Sequence, residues 1–264
     1  MVIRMIVMVL VRPNYLYDIL TAADGRAIIC LILCYGYHAW GRNERKYTML
    51  KNIMCFGDSN TYGFIAGNGG RYDEHTRWTK LLQRRLGENY YVIEEGLNGR
   101  TTVFDDPDKK FLNGSEYLEM CIATHRPLDL VILMLGTNDT KERYQAGPAE
   151  IARGLEKLIR MLRDPGIYHN HVLIISPIHI SESILTSEYC DSYHGLEGME
   201  KSKQLAGEYA RLAKEYNCFF LDAADYAAAD DKDAIHLDAK GHAALAEAIY
   251  HKLKEIDPIR SSKQ

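Results

Sequence analysis

The chain has 264 residues, 47% of them hydrophobic and 26% charged, enough for one large α/β domain with a buried core or at most two small ones. Its 32 Lys and Arg against 36 Asp and Glu leave a net charge of -4, and no Lys/Arg cluster interleaves with aromatic residues, so nucleic acid is not an expected partner. Six cysteines (Cys30, Cys34, Cys55, Cys121, Cys190 and Cys218) form no Cys-x-x-Cys pair, which argues against a zinc site and for reduced, buried thiols in a cytoplasmic protein.

Residues 1–48 differ in pattern from the rest of the chain. An apolar run over 1–11 is broken by Arg4 and closed by Arg12-Pro13, and a second run covers 27–35. Each falls short of the roughly 18 to 20 residues that cross a bilayer, so no membrane span is expected. Arg4 and the first run resemble the start of a signal peptide, yet no small-residue cleavage site comes after them. The second run leads into Tyr37, His38 and Arg42 without an amphipathic repeat. Met49-Leu50-Lys51-Asn52 stands directly before the first apolar strand pattern, as a native start would. The expectation is an N-terminal extension over 1–48 and a functional domain over 49–260.

From residue 51 onward, strand and helix patterns alternate. A short apolar strand over 53–56 ends in Gly57-Asp58-Ser59 and a polar turn through Gly63. Helical spacing of Trp78, Leu81, Leu82 and Leu86 predicts a helix over 75–86, followed by a strand over 90–93. Residues 115–124 read as a helix with a polar start at Asn113. The unbroken apolar run over 130–135 has the signature of a strand buried on both faces. A helix over 148–162 opens on Pro148 in its first turn. A strand over 172–175 stops at Ser176-Pro177. A helix over 198–216, a strand over 218–221 and an Ala-rich helix over 238–256 complete the chain. Five strands alternating with helices predict a parallel sheet covered on both faces.

Ligands of such sheets bind in the crevice at the carboxyl ends of the strands, and Ser59 falls there. A serine nucleophile needs a base, and among ten histidines the informative one is His236, three residues after Asp233. An Asp at that spacing can turn back to accept the imidazole Nδ1 proton, leaving Nε2 toward the serine. The plainer reading makes Asp233 part of an acidic loop with Asp230 and Asp231, and His236 a packed or solvated residue. His242 falls within the next helix and is read as a helical surface residue. Donors for a developing oxyanion are offered by the Gly99 N–H after the second strand and the Asn138 side chain after the third. Both stretches would otherwise pass as ordinary strand-to-loop turns. Trp78, on the apolar face of its helix, and His179, just past the fourth strand, are weighed as substrate contacts against core packing and a solvated loop position.

Gly57-Asp58-Ser59, the stretch through Gly99, Gly136-Thr137-Asn138-Asp139 and Asp233-x-x-His236 occur in the order of the SGNH hydrolases, also called GDSL esterases, and the chain after Met49 resembles that family. The resemblance implies a three-layer α/β/α sandwich around a five-stranded parallel sheet, of flavodoxin-like form. It implies Ser59 as nucleophile, His236 as base and Asp233 as the acid that orients it. It implies an oxyanion hole made by the Ser59 N–H, the Gly99 N–H and the Asn138 amide. Longer strings, among them Arg77-Trp78-Thr79, Gly99-Arg100-Thr101-Thr102 and Asp105-Asp106-Pro107, resemble a bacterial arylesterase and acyltransferase subgroup that includes carbohydrate acetylesterases. That subgroup implies a homo-oligomer, often an octamer, a small-molecule ester as substrate, and neither metal nor organic cofactor. The leader over 1–48 has no counterpart there, and the loop over 178–198 differs in detail.

The expected reaction is hydrolysis of short, acetyl-type esters of aryl alcohols or carbohydrates through an acyl-serine, with acyl transfer to a second alcohol as a variant outcome. A lysophospholipase- or thioesterase-type lipolytic hydrolase is the alternative. Metal-dependent hydrolysis on Asp58, Asp139, Asp233 and His236, and a catalytically silent carbohydrate-binding domain, are the competing classes.

Overall fold

The computed structural model describes residues 51–163 and 171–261, so the readings made for 1–48 lie outside the described residues. Five strands form one sheet: β1 (Lys51–Gly57), β2 (Tyr90–Gly96), β3 (Leu130–Met134), β4 (His171–Ser176) and β5 (Phe219–Asp222). They lie in the order β2-β1-β3-β4-β5, and every neighbouring pair is parallel. The helices are α1 (Ser59–Tyr62), α2 (Trp78–Leu86), α3 (Gly114–His125), α4 (Pro148–Leu162), α5 (Cys190–Tyr193), α6 (Leu196–Glu215) and α7 (Ala239–Ser261).

Alternation along the strands divides the core between two faces, because successive side chains of a strand point to opposite sides of the sheet. Met54 and Phe56 of β1, Val131 and Leu133 of β3, and Val172 and Ile174 of β4 pack with α3, α4 and α6. Ile53 and Cys55, Leu130 and Ile132, and Leu173 and Ile175 pack on the other face with α2 and α7. Both faces are therefore covered, which is why the middle strands read as unbroken apolar runs rather than alternating ones. Burying a side chain of this size stabilises the fold by about 1.5–3 kcal/mol, and all five residues of β3 are buried.

The sheet positions the site through its order. The chain goes from β1 outward to β2, then crosses back to β3 on the other side of β1. The connections after β1 and β3 leave in opposite directions and open a crevice at their carboxyl ends. Ser59 follows β1 and Asn138 follows β3 at that crevice.

Three expectations from the sequence are corrected. The helix expected from residue 75 begins at Trp78, because Asp73 Oδ1 takes the His75 N–H at 3.0 Å and the Thr76 hydroxyl at 2.8 Å, closing a turn before it. β2 continues to Gly96 rather than stopping at Ile93, since its whole length pairs with β1. His242 is not a surface residue: it is 0% exposed at the start of α7. Its Nδ1 accepts the Trp78 backbone N–H at 3.3 Å, which supplies a partner to a helix-start donor that has none within its own helix.

Among the described residues, no helix is long and apolar enough to cross a membrane. Cys55, Cys121, Cys190 and Cys218 are free thiols.

Candidate active site

Ser59 opens the four-residue helix α1, and two local features set that turn. Asp58, the N-cap, accepts the Asn60 N–H on its side chain at 3.0 Å, and Gly63 closes the helix in the left-handed region at φ 86°. The helix packs directly on the end of β2: a Cβ on Gly96 would lie 2.2 Å from the Tyr62 backbone nitrogen, so only glycine fits.

His236 comes to this turn from the loop before α7. Its Nε2 is 2.8 Å from Ser59 Oγ, and its Nδ1 is 2.6 Å from Asp233 Oδ2. The other Asp233 oxygen accepts the N–H groups of Ile235 at 3.2 Å and His236 at 3.0 Å. A carboxylate on Nδ1 fixes the tautomer in which Nε2 accepts the serine hydroxyl proton. All three residues are nearly closed off from solvent, at 8% exposure for Ser59, 1% for Asp233 and 5% for His236. Burial pushes the Asp233 carboxyl up, but the His236 bond and charge and the two N–H donors outweigh it and hold it below its ordinary value. Two aromatic rings lie near the imidazole, Phe64 at 4.4 Å between centroids and Tyr189 at 6.3 Å.

Asn138 begins a 3-10 turn that follows β3 after Leu135, Gly136 and Thr137, and its amide orientation is set from both ends. Nδ2 donates to the Arg100 carbonyl at 3.1 Å, while Oδ1 accepts from the Tyr193 hydroxyl at 3.4 Å. One hydrogen of the Asn138 amide therefore stays available for a ligand. Gly99 precedes Arg100 in a loop that needs its φ of 86°. The buried Arg100 guanidinium ties that loop to the strand ends, donating to Gly57 O at 3.0 Å and to Glu95 O. Asp139, 0% exposed, takes the Thr102 N–H at 2.8 Å and the Thr102 hydroxyl, and burial pushes its carboxyl up to about 6.

The site thus brings Ser59, Asp233 and His236 into one bonded chain and hangs Gly99 and Asn138 on loops fastened to each other through Arg100. Two other candidates fare differently. Trp78 is fully buried, with its indole N–H on Asn60 O at 3.0 Å, so it has no surface for a substrate. That expectation is corrected to a core position beneath α1. His179 is half-buried past β4, and among the described residues no hydrogen bond joins it to Ser59, Asp233 or His236. The carboxylates weighed as metal ligands are turned to separate work: Asp58 on Asn60, Asp139 on Thr102 and Asp233 on His236. Phe64, Tyr189 and Tyr193 escaped the sequence reading, and Arg100 entered it only within the string Gly99-Arg100-Thr101-Thr102, without a role. For the two tyrosines the available signal was their place in the irregular loop over 178–198.

The family profile described as "GDSL-like Lipase/Acylhydrolase family" matches residues 55–244. An acetylxylan esterase of Xylanibacter ruminicola is 25% identical over 227 residues, which cover 76% of this chain and 43% of that protein, so the chain spans less than half of that relative's length. Among solved structures, a carbohydrate acetylesterase from Sinorhizobium meliloti is 40% identical with a TM-score of 0.73, over 78% of this chain and 99% of that one. The aryl esterase of M. smegmatis is 36% identical with a TM-score of 0.72, over 78% and 99%.

Proposed function

This chain belongs to the GDSL-like lipase/acylhydrolase family, and on that premise we propose that it hydrolyses short, acetyl-type carboxylic esters of carbohydrates or aryl alcohols through an acyl-serine. The observation that carries the reading is the continuous bond chain from Ser59 Oγ through His236 to Asp233. Ser59 Oγ attacks the ester carbonyl carbon and its proton passes to His236 Nε2. Asp233 stabilises the imidazolium formed. The carbonyl oxygen, now carrying the charge, takes hydrogen bonds from the Ser59 N–H, the Gly99 N–H and the Asn138 amide. His236 returns the proton to the departing alcohol oxygen, then deprotonates a water that attacks the acyl-serine. A second alcohol arriving in place of that water gives acyl transfer.

The choice of ester rests on two supports. Similar chains of known structure include an acetylesterase and an aryl esterase. Phe64 and Tyr189 lie beside the imidazole, and aromatic rings next to the base suit an aryl ring or the apolar face of a sugar. Assembly into a homo-oligomer and a functional domain over 49–260 belong to the same proposal.

The test is hydrolysis of para-nitrophenyl esters of increasing acyl length by wild type and Ser59→Ala. Activity on the acetate that falls with chain length and disappears in the variant is the expected outcome. Equal activity in the two proteins overturns Ser59 as nucleophile. A preference for long chains replaces the acetyl-type reading with a lipolytic one.

A further inference from the structure

We infer that Asn60 is a positioning residue that sets the nucleophile against its base, an inference that rests on the triad reading above. Asn60 follows Ser59 directly, and its side chain reaches across to the loop that carries His236. Its Nδ2 donates to the Ile235 carbonyl at 3.0 Å, and its Oδ1 accepts the Leu237 N–H at 2.9 Å. The two bonds grip the backbone one residue before and one residue after the imidazole. Together they also fix which end of the amide is which, since a flipped amide would lose both.

The remaining backbone bonds of that loop show why this grip differs from the others. Asp233 holds the N–H groups of Ile235 and His236, Asp230 N donates to the His236 carbonyl at 2.7 Å, and Ala234 N donates to Asp230 O at 2.8 Å. All of these are made within the loop itself. Ser181 N donates to Ala234 O at 3.0 Å and the Ser187 hydroxyl to Asp233 O at 3.1 Å, which ties the loop to 181–187. These bonds shape the loop, including the left-handed turn at Ala234 with φ 72°, but none reaches the helix of Ser59. Asn60 does. Among the described residues, α1 is joined to the His236 loop by its two bonds and by the Ser59–His236 bond, which must break and reform during the reaction.

Asn60 is itself held from below. It is 3% exposed, and its own carbonyl accepts the Trp78 indole N–H at 3.0 Å. Trp78 is anchored in turn by its backbone N–H on His242 Nδ1 at 3.3 Å. An unbroken series therefore runs from α7 through α2 and Asn60 to the two flanks of the base. Ser59 and His236 lie 177 residues apart in sequence, and this series is what lets a turn after β1 and a loop before α7 keep a proton-transfer distance while the transferring bond itself is broken.

The test is steady-state hydrolysis of para-nitrophenyl acetate by the full chain with Asn60→Ala and Asn60→Asp, beside wild type and Ser59→Ala. Without the clamp, a shift of about an ångström or less between Oγ and Nε2 should lower kcat roughly 10- to 100-fold with KM changed less than about twofold. Asn60→Asp keeps the shape and the acceptor for Leu237 N–H but turns a carboxylate oxygen toward Ile235 O in place of the donor, so its kcat should fall below wild type. If the alanine variant does not fold, the aspartate variant carries the test through its own partial loss of kcat. A kcat equal to wild type in the folded variants overturns the clamp, as does a loss confined to KM. If Ser59→Ala itself keeps wild-type activity, the nucleophile reading fails instead.

Discussion

Asn138 offers a graded test because its two amide ends are held by different partners, the Arg100 carbonyl and the Tyr193 hydroxyl. Removing the amide in Asn138→Ala takes away the donor that the proposed mechanism directs at the developing oxyanion and should cost roughly 100- to 1000-fold in kcat. Tyr193→Phe leaves the donor in place and removes only the bond that orients it from the far side. That bond is long, at 3.4 Å, so the expected loss is at most about tenfold, the upper range for one neutral hydrogen bond. Equal losses in the two variants would mean that Tyr193 does more than orient Asn138, and no loss in Asn138→Ala would remove it from the oxyanion site. The same residues show what a sequence reveals. Ser59, Gly99, Asn138 and the Asp233–His236 pair were legible because each stands in a short local string. Asn60 and Tyr193 were not, because their partners lie 175 and 55 residues away.

At the scale of elements, strand and helix identities followed from apolar periodicity, and the boundaries that moved did so for local and distant reasons: the Asp73 turn delays α2, and pairing with β1 extends β2. The start of α2 also draws on a distant partner: its first N–H is satisfied by His242 on α7, a contact that no local pattern encodes. The misreading of His242 as a surface residue has the same origin. Burial pulls its imidazole down from 6.5 to about 4, and Nδ1 must stay unprotonated to accept the Trp78 N–H. The unfolded chain therefore binds a proton below pH 6.5 that the folded chain refuses. The contribution of His242 to stability is complete above that value and is lost as pH falls through 6.5 toward 4. Asp58 and Asp139 work in the opposite direction, since burial raises both from 3.8 to about 6 and stability is lost as pH rises through that window. The wild-type slope mixes these effects, but the difference between wild type and His242→Gln isolates the histidine. The gap between their melting temperatures should be widest near neutral pH and narrow as pH falls from 6.5 to 4. A gap that is constant with pH would show that His242 titrates alike in the folded and unfolded chains.

Across the whole molecule, the sheet and the rim at its carboxyl ends are held by different forces. The five-stranded parallel sheet could be read from its buried apolar runs, and the convergence of the candidate residues followed from their places at strand ends. The strand order could not, because pairing is decided by packing between segments far apart in the chain. In the structure, Ile132 sits at the centre of β3, 1% exposed, opposite Cys55 on one side and Leu173 on the other. Its side chain touches the α2 and α7 face and belongs to no part of the hydrogen-bonded rim. Ile132→Ala should cost about 2–5 kcal/mol through lost burial and the cavity left behind. For a domain of this size, that is a fall of roughly 4–20 °C in melting temperature. At a temperature well below the new midpoint, kcat should stay within about twofold of wild type, since the bonds that position Ser59, His236 and Asn138 are local to the rim. The pattern is the reverse of the one expected for Asn60→Ala, where kcat falls on a largely intact fold. If kcat instead drops with stability in Ile132→Ala, the rim is not mechanically separate from the core, and the spacing of Ser59 and His236 is set by the packing of the sheet rather than by the hydrogen bonds that span it.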